Sequence, residues 1–161
     1  MKVITDDGLD VFIAQLKTQG ADASALKDIC DQIIYDGAGV VADAIRSEIQ
    51  ALPIRGNKWA KSGEKLTGVT VQEKQGLLRT LGIKQLGDRN GIYDRKIGFD
   101  GYVETQNSRI PVPMIVRSHE RGCSWLTRNP FVTRAVNSCK QEVLSTMEKK
   151  LDKILQERNK S

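Results

Sequence analysis

DASALKDICDQIIYDGAGVVADAIRSEIQALP, Asp22 to Pro53, is the stretch on which the fold turns. Leu26, Ile29, Cys30, Ile33, Ile34, Val40, Val41, Ala44, Ile45, Ile49 and Leu52 recur at spacings of three and four, the period of one helical face. The spacing predicts one long helix over roughly residues 22–52. Gly37-Ala38-Gly39 interrupts its middle, and each glycine there is about 1 kcal/mol worse than alanine in a helix interior. Either another backbone packs closely at this point or the helix kinks. Pro53 ends it, because a proline disfavours helical backbone at the preceding residue.

Upstream, GLDVFIAQLKTQG reads as a short amphipathic helix with Leu9, Phe12, Ile13 and Leu16 on one face and Gly20 as its stop. Downstream, residues 53–68 (PIRGNKWAKSGEKLTG) hold three glycines, four lysines or arginines and Trp59, which reads as an exposed, mobile basic loop. Thr70-Val71-Gln72-Glu73 then fits a capping box, opening a short helix with Leu77, Leu78 and Leu81 as its apolar face and Gly82 as its stop. From Ile83 the pattern turns to strand: GDRNG is a turn, and IYDRKIGFDGY and RIPVPMIVRS are β-rich runs separated by ETQNS. They are expected to pair antiparallel, with Pro111 and Pro113 confining their part to an edge or bulge. Asn129-Pro130 introduces a last helix over about 131–156, striped by Val132, Ala135, Val136, Cys139, Val143, Met147, Leu151, Ile154 and Leu155, whose charged final turns are expected to project from the body. The expected architecture is a single α+β domain, with a small antiparallel sheet packed by a long helix from the N-terminal half and a long C-terminal helix.

Composition supports one folded domain: of 161 residues, 39% are apolar and 28% charged. No apolar run approaches the roughly 20 residues of a membrane span. MKVITDDGLD lacks the apolar segment of a secretory signal, so the expectation is a protein that stays in the cytoplasm where it is made. Cys30, Cys123 and Cys139 are an odd, widely spaced set. Cys30 and Cys139 lie on apolar stripes, where a thiol behaves as a small hydrophobe. The net charge of +5 is uneven: residues 1–50 carry 4 basic and 9 acidic side chains, and residues 51–96 carry 10 basic and 4 acidic. Opposite poles suit head-to-tail assembly of copies. They suit equally well two independently solvated faces.

Candidate chemistry is thin. RSHERGCSW, 117–125, contains the chain's one histidine, His119, with Cys123 four residues on. A catalytic thiol needs an adjacent base and usually a third group to orient it. Here the pair follows a predicted strand and spans Gly122, so a strand end and turn is the reading. One histidine and three scattered cysteines without a CxxC do not furnish a zinc site. WAKSGEKLTG lacks the GxxxxGK[ST] spacing of a phosphate loop, and Gly87, Gly91, Gly98 and Gly101 do not form GxGxxG before a helix. Asp6-Asp7 suits a helix N-terminus, and Asp94 and Asp100 flank a strand run with nothing to mark them. No enzyme centre, metal site or cofactor is expected. Nucleic acid is the rival partner: ten basic residues from Arg55 to Lys96 suit phosphates and Trp59 suits a base, although no recognised binding motif accompanies them.

One ordered set of signals adds up. An acidic start, a long helix ending in Leu52-Pro53, a basic loop, KLTGVT (65–70), GLLRTLGI (76–83), KIGFDGY (96–102), a proline-bearing strand, RSHERGCS (117–124), NPFVTRAV (129–136) and an amphipathic C-terminal helix follow one another. This order resembles a family of tailed-bacteriophage morphogenesis proteins, the neck, head–tail joining and tail-completion proteins, over about residues 8–156. The resemblance implies a structural ring subunit of the virion neck, assembled in the bacterial cytoplasm. Its implied partners are further copies of itself, a head-side connector or adaptor, and tail-side terminator or tube proteins, with DNA passing through the lumen and no membrane contact. A tail terminator or a tail-like bacteriocin component are neighbouring roles; a small nucleic-acid-binding protein is the alternative of a different class. In this pattern the positions of His119 and Cys123 need not be those residues. Interface candidates are Lys58, Trp59, Lys61 and Lys65 of the basic loop, with Glu120 and Arg134. For Glu120 the options are accepting backbone N–H bonds, pairing with Arg134, or standing as a solvent-facing charge.

Overall fold

In a computed structural model of the chain, residues 23–56, 60–85, 94–105 and 108–158 are described, together with Ala14 and Thr18. Four helices and four short strands follow in the order α1 (Ala23–Ala51), α2 (Val71–Thr80), β1 (Leu81–Gln85), β2 (Arg95–Phe99), β3 (Tyr102–Glu104), β4 (Arg109–Pro111), α3 (Val112–Arg121) and α4 (Phe131–Arg158). The architecture is α+β, as expected. Of the predicted first helix only Ala14 and Thr18 are described, both on helical backbone.

The long helix runs unbroken through Gly37-Ala38-Gly39. A Cβ at Gly37 would lie 3.0 Å from Met147 Cγ and Sδ, so α4 side chains fill the space that the glycine leaves. The pair is antiparallel. Leu26, Ile29 and Ile33 near the start of α1 pack on Met147, Leu151, Ile154 and Leu155 near the end of α4. At the other end Ile45 and Ile49 join Phe131 and Ala135 in the main core. The final turns of α4 therefore lie against α1 and do not project, because four apolar side chains there find an apolar partner face. Lys150 adds an ion pair to Asp36 at 3.1 Å.

The strands depart most from expectation. There is no single sheet among the described residues but two two-stranded antiparallel ladders, β1–β2 with Leu81 opposite Phe99, and β3–β4 with Val103 opposite Ile110. The run expected to continue as a strand through Ser118 becomes helix α3 after Pro111. Val112, Ile115 and His119 sit at spacings of three and four and are all buried, a helical face. Pro113 is tolerated in the first turn, where its missing N–H would have no partner. The GDRNG turn, 87–91, lies outside the described residues.

The basic segment is also more tightly held than a mobile loop. Arg55 N–H donates to Val69 O at 2.8 Å and Val69 N–H to Pro53 O at 2.9 Å, clasping its two ends. Leu66 N–H donates to Trp125 O and Thr127 N–H to Leu66 O, anchoring the segment to the stretch before α4. Leu66 and Val69 are buried. Pro53, Ile54, Gly56, Lys61, Ser62, Gly63, Lys65 and Thr67 are exposed, so backbone bonds and the buried Leu66 and Val69 hold the segment while much of its surface stays open. The capping box stands as read: Glu73 N–H donates to Thr70 Oγ1 and Thr70 N–H to Glu73 Oε2. Lys74 Nζ closes the end of α1 by donating to Gln50 O at 2.6 Å and Leu52 O at 3.0 Å, a cation on the negative end of a helix.

Candidate functional site

Three segments that carry the family resemblance meet at one ring, Phe131. Phe99 of KIGFDGY stands edge-on to it at 6.3 Å between centroids, and His119 of RSHERGCS stands edge-on from another side, also at 6.3 Å. Phe131 itself belongs to NPFVTRAV and is fully buried. Edge-to-face packing of this kind contributes about 0.5–1.5 kcal/mol per pair beyond area burial.

Glu120, next to His119, holds the same junction from outside. Val132 N–H donates to its Oε1 at 2.7 Å, and the Thr133 hydroxyl donates to its Oε2 at 2.6 Å. A carboxylate thus caps the first turn of α4, where unpaired N–H groups and the helix dipole both favour negative charge. Of the options left open for Glu120, acceptance of backbone N–H is the one realised. The pairing with Arg134 is not. Arg134 reaches back to α1 and donates to Glu48 Oε2 at 2.6 Å, with a further bond to Asn129 Oδ1. The reason is direction: Arg134 lies on the α1 side of the first turn, whereas Glu120 approaches the turn end-on.

His119 is 1% exposed and lies on a helix, where a strand end and turn had been expected. Its Nδ1 has no hydrogen-bond partner. Burial pushes its pKa below the usual histidine value; Glu73 pulls it up, Arg55 pushes it down and Glu120 pulls it up. Gly122 then ends α3 at φ +72°, and Cys123 lies beyond it, its backbone engaged with Leu126. Among the described residues no hydrogen bond joins His119 to Cys123. Burial raises the thiol pKa of Cys30 and Cys139, away from nucleophilic thiolate chemistry. No group of three or more metal-ligating side chains is found among the described residues, and no helix there is long and apolar enough to cross a membrane.

The basic region is partly neutralised within the chain. Arg55 donates from Nη2 to both Glu73 oxygens at 3.1 Å, in a pair with side chains 13% and 11% exposed. Arg95 pairs with Asp31 of α1 at 3.0 Å, and Lys74 is held by carbonyls. Part of the acidic and basic charge therefore meets within the chain itself. Lys61 and Lys65 remain exposed; Lys58 and Trp59 lie outside the described residues.

A groove that no motif announced lies between α2 and β3. It measures about 860 Å³ and is lined by Gln72, Gln75, Arg79, Tyr102, Glu104 and Arg109 around a floor that includes Gly76, Leu78 and Val103. Arg79 donates to Tyr102 O at 3.2 Å, and the Arg109 guanidinium lies over the Tyr102 ring at 4.2 Å. These residues escape sequence reading because Arg79 and Arg109 come from elements 30 positions apart. The one local signal is the alternation of exposed Tyr102, buried Val103 and exposed Glu104.

No family model, no curated protein and no solved structure matches this chain.

Proposed function

We infer that the chain is a structural subunit of a ring in the neck of a tailed phage or phage-like particle, completing the tail or joining it to the head. The observation that carries the reading is the convergence of KIGFDGY, RSHERGCS and NPFVTRAV on Phe131 and Glu120. Three short motifs, each weak alone, act as one structural unit, which supports treating their ordered resemblance as a signature of a common fold. The same geometry supports a structural role for His119 and Glu120, since both serve the α3–α4 junction. Large side chains left on the surface, Tyr35, Ile54, Tyr102, Met114 and Trp125 among them, supply material for contacts with neighbours.

Heterologous contacts repeated about an axis close a ring. Lys61 and Lys65, which are exposed, and Lys58 of the same segment face acidic surface of the next copy in this reading. Trp59 serves as an aromatic anchor for the head-side or tail-side component. The test is the size of the full chain in solution by light scattering and electron microscopy, with Lys58, Lys61 and Lys65 reversed to glutamate. Closed rings that dissociate on reversal are expected; assembly undiminished by the reversal rejects the lysine contact. A monomer that binds duplex DNA tightly in a salt-dependent gel shift would replace the whole reading with the nucleic-acid alternative. That alternative is the less favoured, because Arg55, Lys74 and Arg95 are already engaged within the chain.

A further inference from the structure

The groove beside β3 ends in an open backbone edge. The β3–β4 register continues in Val112 N–H to Gly101 O at 3.0 Å and Thr105 N–H to Ser108 O at 2.8 Å. Hydrogen-bonded pairs alternate in an antiparallel ladder, so Val103 is the residue of β3 that exchanges bonds with β4. The N–H and C=O groups of Tyr102 and Glu104 therefore point away from β4, along the groove. Among the described residues only Tyr102 C=O has a partner there, the Arg79 guanidinium.

That edge selects its occupant. Only an extended peptide offers donors and acceptors at strand spacing, about 4.8 Å from the neighbouring strand. The apolar floor of Val103 and Leu78 takes β-branched side chains, and the guanidinium groups of Arg79 and Arg109 take carboxylates. Residues 2–7 of this chain, Lys-Val-Ile-Thr-Asp-Asp, answer each requirement: three β-branched residues in a row followed by two acids. No other place in the sequence has two adjacent acids.

Reach favours another copy as the donor. Lys74, one residue from groove-lining Gln75, is bonded to Gln50 at the C-terminal end of α1, whereas the N-terminus enters at Ala23. Those ends are about 40 Å apart at 1.5 Å per residue. With GLDVFIAQLKTQG read as helix, the stretch between residue 7 and Ala23 reaches back about 32 Å.

We propose that the α2–β3 groove receives the N-terminal strand, residues 2–7, of a second copy as a third strand on β3–β4, with Asp6 and Asp7 against Arg79 and Arg109. This rests on the ring reading and names its subunit contact. Because each copy gives a strand and receives one at a different surface, the contact propagates head to tail.

The experiment uses the full chain. Oligomer size is measured by sedimentation for wild type, I4P, R79E/R109E, and R79E/R109E combined with D6K/D7K. A fluorescent peptide of residues 1–10 is titrated into I4P, whose groove is intact. Wild-type oligomers, at least tenfold weaker association for I4P and for R79E/R109E, recovery to within about threefold in the combined variant, and peptide binding to I4P but not to I4P/R79E/R109E are expected. Wild-type oligomers unchanged by I4P overturn this contact and leave the ring reading standing. A wild-type chain that stays monomeric at every concentration overturns the ring reading; if the peptide also fails to bind I4P, the groove assignment falls with it. A monomer whose own N-terminus occupies the groove overturns the second-copy assignment alone.

Discussion

Replacing Glu120 with alanine tests whether one side chain holds α3 and α4 together. The carboxylate accepts the Val132 N–H at 2.7 Å, in a half-buried position, and the Thr133 hydroxyl at 2.6 Å, in an exposed one. A hydrogen bond to a charged group contributes about 1.5–3 kcal/mol when it is sheltered. The Thr133 bond, open to water, contributes less, about 0.5–1 kcal/mol. The favourable position of a negative charge at a helix N-terminus is already part of the first of these, so it is not added again. E120A should thus cost about 2–4 kcal/mol. For a domain of this size that lowers Tm by about 4–16 °C, at 2–4 °C per kcal/mol. E120Q keeps the shape and an acceptor oxygen but loses the charge, and should cost about half as much. T133V should cost less than 1 kcal/mol, and E120A/T133V no more than E120A, since the hydroxyl then has no carboxylate to serve. Urea unfolding of the four variants measures these differences. If E120A lies within 0.5 kcal/mol of wild type, or if the two changes add, Glu120 does not cap α4 and the proposed junction fails.

G76A should destabilise by about 1–3 kcal/mol, although alanine in a helix interior normally gains about 1 kcal/mol over glycine, because its Cβ would run into Val103 Cγ2. V103A should relieve much of that loss in the double variant, which urea unfolding would show as a favourable coupling. G68A should cost more than about 2 kcal/mol and loosen the clasp at Arg55, seen as faster trypsin cleavage after Lys61: Gly68 has φ +87°, and a Cβ there meets the Pro53 carbonyl. His119 should make stability depend on pH. Its folded pKa lies below that of the unfolded chain, about 6.5, so between the two the unfolded state binds more protons and stability falls as pH is lowered through that window. The slope approaches 1.4 kcal/mol per pH unit at most, and H119Q should flatten it; an unchanged slope in H119Q would assign the effect to other groups.

Helices α1, α2 and α4 were legible because each depends on a local period and a local stop. Ala23–Ala51 and Phe131–Arg158 match the stripes of apolar residues, and the Thr70–Glu73 capping box is a contact between neighbours in sequence. What failed was the run VPMIVRS, where β-branched composition outweighed a three-and-four spacing that the buried core below it uses. Composition is a weak guide when a segment's burial partner lies elsewhere in the chain. Glu120 was picked out by its position beside a turn, but its partner among several was decided by the direction from which α3 meets the end of α4.

By its own order of residues, the sequence determined three of the four described helices, the capping-box start of α2, the α+β class and the burial of Cys30 and Cys139. Tertiary structure alone decided that α4 folds back along α1, that Arg55 and Arg95 find acids within the same chain, and that a groove with an open strand edge forms beside Arg79 and Arg109. The physical reason is range: helix periods and caps act across four residues, whereas ion pairs, grooves and helix pairing depend on packing between segments far apart in the chain.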